Sequence, residues 1–185
     1  MRMENSRGEK ACLQPAKLTR RALPMLPPFP RANTVTEPLD SVDWTAHLLT
    51  ETSDLHALLK TVRRMAVLGI RAEGHVPAYT VPEYAQRSGI TIIPVPVHDP
   101  DATVILGEPV VRRVADVPPP IDLVDVFRLS HDIPPHVDDI IAAKPRAVWF
   151  QLGIRNDDAA ERLARAGILV VQDRCVQIEL MRMGR

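Results

Sequence analysis

Two short apolar runs in the sequence end in residues that could bind phosphate. Gly69 follows the run Met-Ala-Val-Leu, and a glycine there permits a sharp turn that brings backbone amides close to an anion. Arg128 follows residues 121–127, and its guanidinium can bind phosphate through two parallel hydrogen bonds. It could instead pair with Asp125 or Asp132. Ligand contact is slightly favoured, because α/β sheets bind ligands at the ends of their strands.

The loop after Gly69 continues through Ile70 and Arg71 to Pro77. It lacks the second glycine of the dinucleotide-binding pattern G-x-G-x-x-G, and it contains no Gly-Lys-Ser/Thr of a Walker loop. An ordinary strand-to-helix turn would explain the single glycine. The loop can still hold an anion, since a following helix would present unpaired amide donors at its N-terminus.

A third strand end, that of residues 90–95, carries Pro94, Val95 and Pro96. Prolines cannot donate backbone hydrogen bonds and would form a stiff apolar shelf, which suits contact with an adenine ring. A strand terminated by prolines, with no ligand, is an equally good explanation. Asp99 lies close enough to offer a carboxylate to ribose hydroxyls, so NAD is also considered as a ligand.

A fourth strand end, after residues 147–150, carries Gln151 and Gly153. Gln151 can both donate and accept hydrogen bonds, as recognition of an amide-rich ligand requires, and Gly153 permits close approach of the backbone. The alternative is a helix cap at Asn156 with a neighbouring turn glycine. That alternative explains Asn156 but leaves Gln151 unexplained.

Evidence for a catalytic or metal site is weaker. Cys175 follows Arg174, which could lower the pKa of the thiol, but a buried small apolar residue is the favoured interpretation. His131 and His136 lie five positions apart around two prolines, a spacing that places them on no common helix or strand face. We predict no structural metal and no catalytic residues.

The elements that must position these residues alternate in type along the chain. Apolar residues repeat at helical spacing in residues 55–62, and Thr80 opens a capping-box pattern for a helix that runs to Gly89. Asp132 and Asn156 can cap two later helices. The predicted strands are residues 65–68, 90–95, 121–127, 147–150 and 168–171, and residues 96–120 are left unassigned. Strands that alternate with helices predict an α/β fold, an open doubly wound parallel sheet of about five strands.

Composition narrows the class of protein. Lysine plus arginine and aspartate plus glutamate number 23 each, so the charge that would attract nucleic acid is absent. The two cysteines indicate a reducing compartment, with the cytoplasm as the default, and no apolar run is long enough to span a membrane. Residues 1–43 are rich in proline and basic residues, which predicts a disordered tail or a start codon assigned too far upstream, with a transit peptide less favoured.

Six segments taken together resemble the stand-alone bacterial CoA-binding-domain proteins, relatives of the nucleotide-binding domain of the succinyl-CoA synthetase alpha subunit. The segments are MAVLG at 65–69, IIPV at 92–95, ILG at 105–107, DLVDVFR at 122–128, VWFQLGI at 148–154 and DRC at 173–175. The resemblance covers residues 55–179. It implies a Rossmann-like CoA-binding domain at residues 44–185.

The resemblance implies a cytoplasmic module that binds coenzyme A or acyl-CoA through its ADP moiety and that could form a homodimer. A synthetase would need a further domain and a partner subunit, so the function is expected to be non-catalytic. The expected contacts are Gly69, Ile70, Arg71, Pro77, Pro94, Val95, Pro96, Arg128, Gln151 and Gly153.

This chain departs from the family pattern at two places. The family often has serine soon after the loop glycine, where this chain has Ile70-Arg71-Ala72, and it usually has asparagine where this chain has Pro96. Arg71 could compensate by contacting phosphate. Two alternatives remain beside CoA binding: an NAD(P)-binding oxidoreductase or redox sensor, suggested by Asp99, and an acyl- or thiol-transfer enzyme that uses Cys175.

Overall fold

The computed structural model of the protein describes residues 43–185, so the prediction for residues 1–43 falls almost wholly outside the described part. The helices are α1 (Thr52–Thr61), α2 (Pro77–Arg87), α3 (Val137–Ala143), α4 (Asp157–Arg165) and α5 (Val176–Arg182). The strands are β1 (Arg64–Leu68), β2 (Thr91–Val95), β3 (Val104–Ile105), β4 (Glu108–Pro109), β5 (Leu123–Val126), β6 (Ala147–Phe150) and β7 (Leu169–Val171). None of the helices in this range is long and apolar enough to cross a bilayer.

Five strands form a parallel sheet in the order β2-β1-β5-β6-β7. This confirms the predicted α/β fold, a Rossmann-like doubly wound sheet. The chain passes from β1 outward to β2, and then crosses back to β5 on the other side of β1. The topological switch point therefore lies between β1 and β5, where open α/β sheets bind their ligands. The short strands β3 and β4 form an antiparallel hairpin within residues 96–120, which sequence patterns left unassigned.

Each face of the sheet is covered by a separate apolar layer. In β1, Met65 and Val67 pack on one face with residues of α1, α2 and α5, while Ala66 and Leu68 pack on the other with residues of α3 and α4. Burial on both faces explains why the strands are continuous apolar runs rather than alternating ones. Neighbouring Trp149 and Phe150 are fully buried in opposite layers for the same reason.

The second helix begins earlier than its capping-box pattern indicates. It starts at Pro77, and Thr80 lies in its first turn, where its hydroxyl donates to the Val76 carbonyl over 3.3 Å. Pro82 is therefore inside the helix and has no N–H for the Ala78 carbonyl one turn back. That carbonyl accepts instead from the Arg71 amide over 3.2 Å. The proline thus ties the helix to the loop after β1.

The cap predictions for the two later helices have different outcomes. Asn156 caps α4 as predicted, since its Oδ1 accepts from the Ala159 amide over 2.9 Å. The prediction for Asp132 is wrong, because a 3-10 turn (Pro134–His136) precedes α3 and places Asp132 outside the helix. Its carboxylate accepts from Arg128 instead.

The last helix, α5, was not predicted. Its Glu179 is buried, where an apolar residue would have revealed the helical period, and its carboxylate is neutralised by Arg182 at 2.6 Å and faces His56 at 2.9 Å. A buried carboxylate with such partners is compatible with a packed helix. Because glutamate is polar, however, the position does not count as apolar in a search for helical periodicity.

Candidate functional site

A cleft of about 410 Å³ opens at the switch point, between the carboxyl ends of β1 and β5. Its walls come from the loop after β1, the start of α2, the segment after β2 and the segment after β5. The lining residues are Gly69, Arg71, Val76, Pro77, Ala78, His98, Phe127, Arg128, Leu129, Asp132 and Ile154. The sequence predictions Gly69, Arg71, Pro77 and Arg128 are thus brought together.

Gly69 makes the closest approach between two strand ends in this cleft. Its φ is +86°, and an added Cβ atom would lie 2.3 Å from the Phe127 carbonyl oxygen and 3.3 Å from Cδ of Arg128. The backbone is fixed on both sides: the Gly69 amide donates to Val95 and the Phe127 amide donates to Leu68, both over 2.8 Å. Only glycine satisfies both the left-handed conformation and the contact.

Arg128 is held in place by two polar side chains. Its Nη1 lies 2.7 Å from Nε2 of His98, and its Nη2 donates to Oδ2 of Asp132 over 3.1 Å. Because a guanidinium only donates, the His98 nitrogen is the acceptor and is unprotonated in this arrangement. The Arg128 side chain is 11% exposed, and its Nε atom is buried with no hydrogen-bond partner among residues 43–185. A buried, unpaired donor in a cleft is a candidate contact for an anion.

The glycine loop is braced by Asp99, the residue considered for ribose binding in an NAD site. Its carboxylate oxygen Oδ2 accepts from the Ala72 amide and lies 3.1 Å from Nε of Arg71. The carboxylate is therefore engaged with the loop after β1. Ile70 is fully buried, so its side chain belongs to the core and only its backbone can contact a ligand.

Gln151 does not line the cleft. Its side chain is 4% exposed, and its Nε2 donates to both carboxylate oxygens of Asp125, over 2.7 and 3.0 Å. Asp125 is fully buried, and burial raises its pKa from 3.8 to about 7, although the hydrogen bond from Gln151 acts in the opposite direction. The Gln151 amide and the Asp125 carboxyl form a buried polar pair, and Asp125 lies two residues before Phe127, which lines the cleft.

The other predicted contacts lie at a distance from the cleft lining. Pro94 and Pro96 are buried, so their rings form no open shelf at this site, and the Pro94 carbonyl accepts from the Val111 amide over 2.9 Å. Val95 is buried between them and lines an adjoining cleft. Gly153 is exposed, and its amide donates to Asp173 over 2.7 Å.

His98 lines the cleft and contacts Arg128, but the sequence patterns did not predict it as a contact residue. A histidine in an irregular segment carries no periodic signal, and the family-like segment at residues 92–95 ends three residues before it. Its position shortly after the end of β2 was the available signal, because that is where ligand-binding residues of open α/β sheets lie.

The comparison with family models decides the family. The model of the CoA binding domain matches residues 63–181, which is well over half of the chain. The chain belongs to the CoA-binding-domain family. The match spans β1 to nearly the end of α5, so it includes every strand of the CoA-binding domain described above.

Similar proteins support the same fold. The uncharacterized protein YneT of Bacillus subtilis (strain 168) is 28% identical over 126 residues, which make up 68% of this chain and 91% of YneT. Among solved structures, cell-free ID.343 from Thermus thermophilus is 34% identical with a TM-score of 0.68, over 72% of this chain and 99% of its own. A hypothetical protein from Pyrococcus horikoshii OT3 is 25% identical with a TM-score of 0.67, over 82% and 99%.

Cys175 lies away from the cleft of this CoA-binding domain. It is half-buried at the start of α5, where it packs against the apolar layer that contains Trp149. Residues 43–185 contain no group of three histidine, cysteine, aspartate or glutamate side chains placed to hold a metal ion.

Proposed function

We propose that this domain binds coenzyme A or an acyl-CoA through the ADP moiety, at the switch-point cleft, and that it has no catalytic activity of its own. The observation that carries the proposal is the convergence of Gly69 and Arg128, whose Cδ atom would touch a Cβ at residue 69. Membership of the CoA-binding-domain family supports CoA as the ligand.

Arg128 is the proposed ligand of the pyrophosphate. Its bonds to His98 and Asp132 leave further N–H donors unused, including the buried Nε. A guanidinium whose orientation is already fixed loses little entropy when it binds phosphate, and the low exposure of this side chain strengthens the charge interaction.

The loop after β1 supplies the opposite wall. Arg71 is half exposed at the cleft and can turn part of its guanidinium to phosphate while Asp99 holds Nε. The Ile70 backbone and the Pro77 ring are proposed to complete this wall. Exposed Val76 and Leu129 border the cleft and could pack against apolar parts of the ligand.

Residues behind the wall have a supporting role in this proposal. Gln151 holds Asp125 beneath the end of β5, and Gly153 turns the chain that leads to Ile154 on the cleft wall. Such residues fix the position of the contact residues without touching the ligand.

The absence of catalysis is proposed from the chemistry of the cleft. Its two titratable groups other than arginine, His98 and Asp132, both bond Arg128. Among the described residues that line it, there is no serine, threonine, cysteine or lysine that could act as a nucleophile. The groups that could act as acid or base therefore serve to position the anion-binding guanidinium.

Calorimetric titration of the full chain with CoA, ADP, NAD and NADP tests the proposal. We expect CoA to bind, and Arg128→Ala to weaken it about tenfold or more, because a charge-assisted hydrogen bond is lost. Arg71→Ala should weaken it less. Arg162→Ala is the matched control, since that arginine also pairs with an aspartate but lies on α4 away from the cleft.

Two results would overturn the proposal. Unchanged CoA affinity in a folded Arg128→Ala protein would exclude this cleft as the site, and circular dichroism establishes that the variant is folded. Tight NADP binding by the wild type, with no heat from CoA, would mean that the ligand is NADP and not CoA.

A further inference from the structure

A second cleft of about 290 Å³ adjoins the switch-point cleft. The two share their walls through consecutive residues: Leu68 lines the second cleft and Gly69 the first, and Val97 lines the second and His98 the first. Consecutive Cα atoms are only about 3.8 Å apart, so the two clefts are neighbours at the same edge of the sheet. We name this second space the Arg112 cleft.

The Arg112 cleft has an apolar floor and a basic rim. Leu68, Val95 and Val97, at the ends of β1 and β2, supply the floor, and Arg112 and Arg113 are exposed at the rim. An apolar floor next to cations suits a base and ribose that carry a phosphate.

Arg112 has no carboxylate partner among the residues that the structure describes. Its Nη1 donates to the Asp99 carbonyl over 3.3 Å and its Nη2 donates to the Ala102 carbonyl. These bonds fix the guanidinium without neutralising its charge. A fixed, uncompensated cation at the mouth of a cleft favours an anionic ligand.

Arg113 differs from its neighbour, because it is paired with Asp139 through Nε at 3.1 Å and Nη2 at 2.6 Å. The same carboxylate accepts from the Val114 amide over 2.8 Å, so Arg113 is oriented by a rigid anchor. Its Nη1 group still has donors to offer. The rim therefore has one guanidinium with an uncompensated charge, that of Arg112, and one guanidinium with a fixed orientation, that of Arg113.

We propose that the Arg112 cleft binds the phosphorylated ribose of CoA, and that Arg112, assisted by Arg113, contacts the 3′-phosphate. The inference rests on the proposed function, and it predicts that this domain distinguishes CoA from ADP and NAD, which lack that phosphate. With the pyrophosphate at Arg128, the adenosine extends along the ends of β1 and β2 and places its ribose phosphate at the rim.

Charge supports this orientation. His136 lines the Arg112 cleft, and its pKa is lowered first by burial and then by the charge of Arg128, which lies in the first cleft, while Asp139 and Asp132 act in the opposite direction. The electrostatic field of Arg128 thus reaches the second cleft. A ligand with phosphates in both clefts would have Arg128 beside one phosphate and the Arg112 and Arg113 guanidinium groups beside the other.

Paired titrations of the full chain with CoA and 3′-dephospho-CoA test the proposal. We expect the wild type to bind CoA about tenfold or more tightly than dephospho-CoA. Arg112→Ala and Arg112→Gln should reduce that ratio several-fold by weakening CoA alone. Arg87→Ala, on the exposed end of α2, is the control and should keep the wild-type ratio.

The outcomes separate this inference from the proposed function. A wild-type ratio close to one, with dephospho-CoA bound, would show that the Arg112 cleft does not recognise the 3′-phosphate. Equal weakening of both ligands by Arg112→Ala and Arg112→Gln would show the same. In either case the proposed binding of CoA is unaffected. If neither ligand binds, the proposed function fails as well. Competition by 2′,5′-ADP that exceeds competition by 3′,5′-ADP would also overturn the inference, since it would assign the cleft to a 2′-phosphate.

Discussion

A Cβ atom added to Gly69 would lie 2.3 Å from the carbonyl oxygen of Phe127. Real Cβ atoms do not approach an oxygen so closely, so the ends of β1 and β5 are in direct backbone contact. This contact occurs at the switch point of the sheet, where Gly69 lines the cleft together with Arg71 and Arg128. Glycine is therefore required at residue 69 for two reasons: a side chain would collide with Phe127, and the backbone has a positive φ.

Gly69→Ala is therefore expected to lower the free energy of unfolding by about 2–4 kcal/mol. Part of this is the cost of a positive φ for alanine, about 1–2 kcal/mol, and the rest is the strain of separating the two strand ends. Urea denaturation of the wild type and the variant measures the change.

Gly89→Ala provides the matched control. Gly89 also has a φ of +86°, but a Cβ there would meet no atom within 4 Å. Its substitution should cost only the conformational part, about 1–2 kcal/mol. Equal losses in the two variants would mean that the approach to Phe127 has no energetic consequence.

Asp132 is predicted to reduce the affinity of the cleft for anions. Its carboxylate lies 3.1 Å from Nη2 of Arg128 and lines the same cleft, so it compensates a charge that a phosphate would otherwise meet. Asp132→Asn should strengthen CoA binding about threefold to tenfold, since it removes a nearby negative charge. The measurement is a calorimetric titration at low and moderate salt.

Asp138→Asn is the control for that experiment, because Asp138 pairs with Arg162 on the surface of α3 and α4. It should leave the affinity unchanged. Weaker binding by Asp132→Asn would refute the prediction, because it would mean that the hydrogen bond by which Asp132 orients Arg128 matters more to affinity than the charge that Asp132 compensates.

Asn156 connects the start of α4 to the segment that borders the cleft. Its Oδ1 accepts from the Ala159 amide over 2.9 Å, and its Nδ2 donates to the Ser130 carbonyl over 2.7 Å. Asn156→Ala should cost about 2 kcal/mol, of which about half is the helix cap and half the tertiary hydrogen bond. Asn156→Asp keeps the cap and loses the donor, so it should cost about 1 kcal/mol when thermal or urea unfolding is measured. Equal costs for the two variants would contradict this division.

The sheet could be predicted from the sequence because its strands are buried on both faces. Residues 65–68 and 147–150 are apolar runs bounded by turn residues, and the structure has β1 and β6 at these positions. The cap at Asn156 could also be predicted, since the capping oxygen and the amide that it accepts from are three residues apart. Local signals suffice for both kinds of element.

The cleft could be predicted only in part. The rule that ligands bind at strand ends selects Gly69 and Arg128, but it cannot tell which strand-end side chains turn inward. Gln151 turns toward Asp125 because a buried carboxyl needs a donor, and that pairing joins two strands through a contact that is not local in the sequence. His98 and Arg112 lie in irregular segments, where no periodicity indicates their direction.

The Asp125 carboxyl should make folding stability depend on pH in an unusual direction. Burial raises its pKa from 3.8 to about 7 in the folded protein. Between about pH 4 and pH 7 the folded state therefore keeps a proton that the unfolded state has released. The contribution of this group to the free energy of unfolding is largest at or below pH 4, falls as pH rises to 7, and is constant above that, a total change of about 4 kcal/mol.

Asp125→Asn removes this dependence, because an amide stays neutral throughout, and the Gln151 amide can rotate to accept from it. Measured by urea denaturation, the variant should match the wild type most closely near pH 4.5 and exceed it by up to about 4 kcal/mol at pH 8. Asp138→Asn, whose carboxylate is 83% exposed, should keep the wild-type slope. The difference in stability between the wild type and Asp125→Asn separates the effect of Asp125 from that of His136. The pKa of His136 is lowered in the folded protein, so His136 reduces stability as pH falls below 6.5, the pKa of an unfolded histidine. Parallel stability curves for the wild type and Asp125→Asn between pH 4.5 and pH 8 would show that the buried carboxyl is ionised at no unusual cost.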